Sequence, residues 1–534
     1  MRPHAGIALL ASLLLAPFQP ATAQSTAGQT PTPGQNLTIG LSAVPNSLDP
    51  HFYDFDPNIN MLRHVFEFLI GQGPHMELRP ELALSWTAID PTTWEFTLRP
   101  GVTWHDGAPF TAEDVAAAFR RAPTVPNSPS SFSVYLRQIA ATQILDPLTI
   151  RFRTHEPFPL MPNYMGAVMI TPKSIGENVP TSDFNSGKAV FGTGPFRFRE
   201  AALGTSYTLA RNPAWWGGAV AWESVTFRAI PQNGARVVAL LSGDVQLIEN
   251  VPPSDIERMR REPAVRLWES TSNRIVFFTM DQTREQTPFI TANDGTQIAN
   301  PLRDRRVRAA LSMAINRQAI VERLMEGAAM PAAQLVAEGV FGHVPGLPVT
   351  RYDPEGARRL LAEAGYRDGF RMTIHGTSDR YVNDSKLVEA LAQMLSRVGL
   401  KVEVETMPGS VYFARAAKLE FSFFLGSWGA GSSGGVTTVR TLLASYDQPR
   451  GMGANNRGRY SNPKVDALVT EYLRTIDDTR REAMLRDATR IALVEDVALL
   501  PTHFQVNTWA SRAGIAYTPR LDGFTLATQI RPAP

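Results

Sequence analysis

Phe96-Thr-Leu-Arg-Pro-Gly-Val-Thr-Trp-His-Asp-Gly-Ala-Pro-Phe-Thr-Ala-Glu-Asp-Val115 passes through three kinds of local structure in one short run. Upstream, Thr93 to Leu98 alternates polar and apolar side chains, the period of a half-buried strand, and Pro100-Gly101 ends it. Trp104-His-Asp-Gly107 makes a second turn. Thr111-Ala-Glu-Asp114 then has the Thr-x-x-Asp spacing of an N-terminal helix cap, predicting a helix through Val115, Ala118 and Phe119. The same alternation of strand and amphipathic helix continues on both sides. Leu37, Ile39 and Leu41 predict a strand, as do Ile275, Phe277 and Thr279. Val307 to Met325 falls largely on helical spacing. Asp353-Pro354 opens a helix that stops at Gly365, and Leu387 to Val398 forms another that stops at Gly399. A strand follows at Lys401–Glu405. Late helices are expected over 463–475 and 477–494, with strand-like sequence after Pro501. Mixed strands and helices without an internal repeat fit a two-lobed α/β protein. Residues 270–274, which have no clear register, are a candidate first crossover between lobes.

Composition narrows the function classes. The chain has 534 residues, with 52 Lys and Arg against 50 Asp and Glu. This near-balance gives no electrostatic case for nucleic acid or anionic membrane as the main partner. The chain contains no cysteine, which excludes disulfides, thiolate metal sites and a thiol nucleophile. Arg2 and His4 precede the apolar run Ala5–Ala16, and Ala21-Thr-Ala23 supplies an A-x-A site. Residues 1–23 therefore read as a secretory signal peptide cut after Ala23, and 24–35 as a disordered leader. The run is too short to span a bilayer. Without cysteine the mature N-terminus cannot be lipidated as a bacterial lipoprotein, so a soluble periplasmic protein is expected.

Catalytic motifs are absent from the sequence. No G-x-S-x-G, H-E-x-x-H or phosphate-binding glycine loop occurs, and no two histidines stand closer than His64 and His75. Ser461-Asn-Pro-Lys464 matches S-x-x-K, but Pro463 interrupts it and no K-T-G follows, so it reads as a Ser-capped start to a helix. Neither a metal nor a cofactor is expected, and the chain is not expected to be an enzyme. Trp428-Gly-Ala-Gly-Ser-Ser-Gly-Gly435 follows the strand-like Phe421–Leu425. The indole and the N–H groups of its loop, Gly431 and Ser432 among them, suit a ligand wall, and equally a mobile surface loop beside a core Trp. Arg380, at the end of the strand-like run Arg371–His375, reads either as a carboxylate clamp or as a solvated surface charge.

The opening stretch resembles the signature of the family 5 extracellular solute-binding proteins, the peptide/nickel-type receptors of ABC importers. Asn46-Ser-Leu-Asp49-Pro, Phe191-Gly-Thr-Gly-Pro-Phe196, Arg211-Asn-Pro-Ala-Trp-Trp216, Asp304–Asn316 and Tyr352–Gly365 resemble further family segments in the same order. The resemblance implies a periplasmic-binding-protein clamshell of the cluster C type, with an extra subdomain in the larger lobe. That lobe would comprise 36–272 and the return segment 502–534, and the smaller lobe 273–501, with two strands crossing between them. It implies a monomeric receptor that binds a peptide or peptide-like ligand in the cleft, closes by hinge motion and docks on membrane permease subunits. Asn46, Arg380, Tyr381, Trp428, Gly431 and Ser432 are the implied ligand-binding residues.

One departure from the family stands out. Many peptide-binding members carry W-x-x-D, whose aspartate pairs with the ligand's α-ammonium, whereas this chain has Trp428-Gly-Ala-Gly431. A buried ammonium without a counter-ion costs several kcal/mol. Another acid must then serve, Asp379 and Asp384 being near in sequence. Otherwise the ligand is an acid without a free α-amine, such as an N-blocked peptide or an opine-like compound, or another non-peptide solute, an oligosaccharide or a metal chelate.

Overall fold

The computed structural model describes residues 36–429 and 434–533. The expected signal peptide and leader, and Gly431 and Ser432, lie outside these residues. A mixed sheet of twelve strands forms the backbone of the molecule. Two long strands, Val265–Met280 and Leu499–Arg512, lie side by side at its centre and pair antiparallel. On one side the sheet continues through Leu247–Glu249, Asn36–Leu41, Ser224–Ala229, Ser206–Arg211 and Phe196–Ala202. On the other it continues through Phe423–Gly429, Arg371–Thr377 and Ile290–Thr291, with Lys401–Met407 flanking Arg371–Thr377.

Each half has its own apolar core. Leu37, Ile39, Leu41, Leu209 and Phe227 belong to one. Val276, Phe278, Met280, Ile374, Phe423 and Leu425 belong to the other, beneath the helices Arg305–Ala314, Pro354–Glu363 and Asp384–Ser396. Between the two halves the central ladder changes register. Thr271 faces Val506 and Ile275 faces Phe504, so Ser272, Asn273 and Arg274 bulge out of the pairing.

A separate four-stranded antiparallel sheet, Ala83–Asp90, Thr93–Leu98, Thr149–Thr154 and Ile139–Asp146, makes the subdomain that contains the opening stretch. Thr111 starts the helix Ala112–Arg121. Its backbone N–H donates to the Asp114 carboxylate at 2.8 Å, and the other oxygen of Asp114 accepts from Lys173 N–H at 2.9 Å. Val115, Ala118 and Phe119 face the subdomain core with Phe96, Ile150 and Phe152.

Several elements differ from the sequence expectation. Strand Val265–Met280 begins well before Ile275, and 270–274 is its interrupted middle. The helical run 307–325 breaks at Ile315, which is extended. It restarts where Asn316 Oδ1 accepts from Ala319 N–H at 2.9 Å, and it continues with π geometry over Ile320–Leu324. The last helix likewise passes from Asp478–Arg490 into a π turn at Ile491–Glu495.

The Phe191–Phe196 loop shows why its glycines are required. Gly194 N–H donates to Val65 O at 2.9 Å and Phe196 N–H to His64 O at 3.0 Å. A Cβ on Gly192 would stand 2.0 Å from Val65 O.

Candidate functional site

The central ladder's bulge floors a cavity of about 720 Å³. Ser272, Asn273, Arg274, Gln505 and Asn507 come from the two crossing strands. Asp54, Asp56, Arg63, Asp522 and Phe524 face them from one lobe, and Arg380, Tyr381, Val382 and Gly429 from the other.

Arg380 and Tyr381 follow strand Arg371–Thr377 in a loop held from below by Asp384. That buried carboxylate accepts from the Thr377 hydroxyl at 2.6 Å and from the backbone N–H groups of Arg380 and Tyr381 at 2.9 and 3.1 Å. The Arg380 guanidinium stands 5.5 Å from the Tyr381 ring centroid. Arg274 reaches the same wall from the bulge, and its guanidinium lies beside the backbone of Gly429. Asp56 acts electrostatically on both guanidiniums from across the cavity. Burial lowers the basicity of Arg274, and the neighbouring charge of Arg380 lowers it further. Two guanidiniums in one wall offer an anion planar forks of N–H donors.

The opposite wall is acidic. Asp54 accepts a hydrogen bond from the Tyr135 hydroxyl at 2.7 Å. Asp56 opens the helix Asp56–Leu62 and is exposed to the cleft. The crowding of protein around Asp56 raises its carboxyl pKa, Arg274 and Arg380 draw it back down, and Asp522 pushes it up. The cavity thus carries Asp54, Asp56 and Asp522 together with Arg63 on one lobe, and Arg274 of the bulge with Arg380 opposite them.

Of the residues singled out from sequence, Arg380 and Tyr381 line this cavity together. Asn46 does not. It is exposed, and its side-chain carbonyl accepts from Asn58 Nδ2 at 3.1 Å while its backbone N–H donates to Asn58 Oδ1 at 3.2 Å. Its neighbour Asp49 is buried in an ion pair with Arg121 at 2.6 Å. Trp428 pairs with Ile275 on the central ladder and packs half-buried against the apolar core, with its indole N–H buried and unpartnered among the described residues. Gly429, the next residue, presents its backbone to the cavity. Asp379 accepts from Gly409 N–H at 2.7 Å, so Asp379 and Asp384 are both engaged by backbone and neither lines the cavity. Sequence reasoning missed Arg274, Asp54 and Asp56. The acid spacing Asp54-x-Asp56-Pro57 ahead of a helix was the one available signal.

The chain matches the family model described as "Bacterial extracellular solute-binding proteins, family 5 Middle" over residues 77–449. A glutathione-binding protein, GsiB of Salmonella typhi, is 28% identical over 473 residues, covering 86% of each chain. The structure of HbpA2 from Haemophilus parasuis superposes with a TM-score of 0.80 at 21% identity, covering 93% of this chain and 100% of that one. DppA from Helicobacter pylori in complex with the peptide STSA superposes with a TM-score of 0.69 at 21% identity, covering 93% and 98%. Among the described residues no helix is long and apolar enough to cross a membrane, and no cluster of potential metal ligands occurs.

Proposed function

Because this chain belongs to the bacterial extracellular solute-binding proteins, family 5, and acts as the substrate-binding receptor of an ABC importer, we propose that its cleft captures a short acidic peptide with the charge pattern of glutathione. That pattern is two carboxylates and one ammonium. The observation that carries the proposal is the pair of guanidiniums, Arg274 and Arg380, facing Asp54 and Asp56 across one cavity. Each guanidinium offers a planar fork of N–H donors that suits a carboxylate. Asp56 supplies the counter-charge that Gly431 cannot. A free α-amine is therefore accommodated, but from the lobe opposite to the one that carries W-x-x-D in many peptide-binding members. The relatives named for glutathione, which match 86% of the chain, support a peptide as the ligand.

The relatives are solute-binding proteins rather than enzymes. In this reading the ligand is returned unchanged. Closure of the two lobes about the crossing strands traps it, and the closed form presents it to the permease subunits. The mature receptor, freed of residues 1–23, works as a monomer in the periplasm.

Isothermal titration of the mature protein with glutathione, its N-acetyl derivative and its diamide tests this reading. Glutathione binds, and the diamide binds at least tenfold more weakly. Equal binding of glutathione and its diamide would remove the guanidinium pair from the site.

A further inference from the structure

A second and larger cavity, of about 1130 Å³, adjoins the charged one, and Met76 lines both. Its walls are of a different kind. Trp86, Trp94 and Leu78 come from the subdomain side, and Phe341, Val436 and Ile476 from the opposite lobe. Its two lining arginines are paired with acids of their own lobe, although Arg481 also donates to Pro159 O at 3.4 Å on the subdomain side and keeps a buried Nε without a partner among the described residues. Arg481 pairs with Asp478 at 2.6 Å and lies 5.4 Å from the Phe341 centroid, and Arg486 pairs with Glu482 at 2.8 Å. Trp86, Trp94, Phe341, Val436 and Ile476 nonetheless offer an apolar slot within a lining that also carries Glu77, Glu338, Asp478 and Glu482, and that slot suits an apolar group. Met76 divides the two spaces. Its backbone is held at φ +64, and its sulfur accepts from Asn273 Nδ2 at 3.4 Å beside the bulge, which fixes the flexible thioether at the junction.

We infer that this chamber receives a bulky apolar substituent borne on the middle residue of the peptide, so that the receptor's preferred ligand is a thioether conjugate of a glutathione-like tripeptide rather than the unmodified tripeptide. The inference rests on the peptide reading above. The charged termini stay with Arg274, Arg380 and Asp56, and the substituent passes Met76 to lie between Trp86 and Phe341. Met76, common to both linings, makes the chamber and the charged cavity neighbours, which suits one ligand reaching both.

The test compares glutathione, S-hexylglutathione and S-(4-nitrobenzyl)glutathione by titration calorimetry on the mature protein and on its Trp86→Ala and Phe341→Ala variants. The expected result is at least tenfold tighter binding of both conjugates than of glutathione. Either variant should reduce that advantage below threefold, while glutathione, which does not reach the chamber, keeps its affinity. Having a variant from each wall preserves the test if one of them fails to fold. If glutathione binds and the conjugates gain nothing, or the gain survives both substitutions, the chamber is not a ligand subsite and the peptide reading alone stands. If none of the three binds, the peptide reading falls and this inference falls with it.

Discussion

Arg380 and Arg274 come from different elements and line one cavity, where burial and then the charge of Arg380 lower the basicity of Arg274. Such an arrangement costs folding energy that an anionic ligand recovers. Replacing either residue by Gln therefore weakens glutathione binding about 10–100-fold, in line with the loss of one charge-assisted contact. The apo protein should at the same time be no less stable, since a repulsion has been removed. Calorimetry and thermal unfolding of each variant read the two effects separately.

The acidic wall predicts a selectivity change. Asp56→Asn should weaken binding of glutathione about tenfold and leave N-acetylglutathione nearly unaffected, so the ratio between the two collapses. An unchanged ratio would mean that the ammonium is met elsewhere.

Glu67 lies buried beneath this lobe, accepting the indole N–H groups of Trp215 and Trp216 at 3.0 Å each. Burial, then the charge of Glu81, raises its pKa to about 8, and burial raises that of Glu81 to about 7. Both groups bind more protons folded than unfolded, so their contribution is complete below pH 4.5 and is lost as pH rises through 7 to 8. His51, His64, His105 and His503, lowered to about 4 by burial, act oppositely between pH 4 and 6.5. Above pH 6.5 the glutamates act alone. Stability should fall by about 1–2 kcal/mol from pH 6.5 to 8.5, and Glu67→Gln should flatten that slope in denaturant titrations.

Gly192→Ala places a methyl group against the Val65 carbonyl, a backbone contact that cannot yield. A loss of roughly 3 kcal/mol or more is expected, measured by chemical unfolding. Gly204→Ala, where a Cβ meets nothing but the backbone has φ +73, should cost about 1 kcal/mol.

Trp428→Ala should act mainly on stability, by about 2–4 kcal/mol, since the indole packs on the core beside Ile275. The measurement is the unfolding midpoint of the ligand-free variant.

What could be read from sequence was local. The Thr111/Asp114 cap, the Asp353 cap and the stops at Gly365 and Gly399 each depend on a few adjacent residues, and each is present, with Gly365 at φ +93 and Gly399 at φ +101. The family and the two-lobed fold followed from several such segments in order. The site depended on distant partners. Arg274 faces the cleft because a bulge forms where strand Val265–Met280 meets residues 504–506, and nothing near Arg274 encodes that. The direction of Trp428 is set by its pairing with Ile275, so its place after a strand could not separate a ligand wall from a core residue. Asp384, near enough in sequence to suggest an ammonium partner, turned out to be occupied by its own loop.

The bulge at Ser272–Arg274 has a mechanical meaning as well. Both connections between the halves of the sheet belong to a single hydrogen-bonded ladder, so neither strand turns without carrying the other. In the closure proposed above, the lobes would share one coordinate of rotation instead of two independent ones. Arg274 sits on that axis while also facing the ligand's charge. In that closure, neutralising it acts at the pivot itself, and filling a cavity of about 720 Å³ would become a change of angle between the lobes.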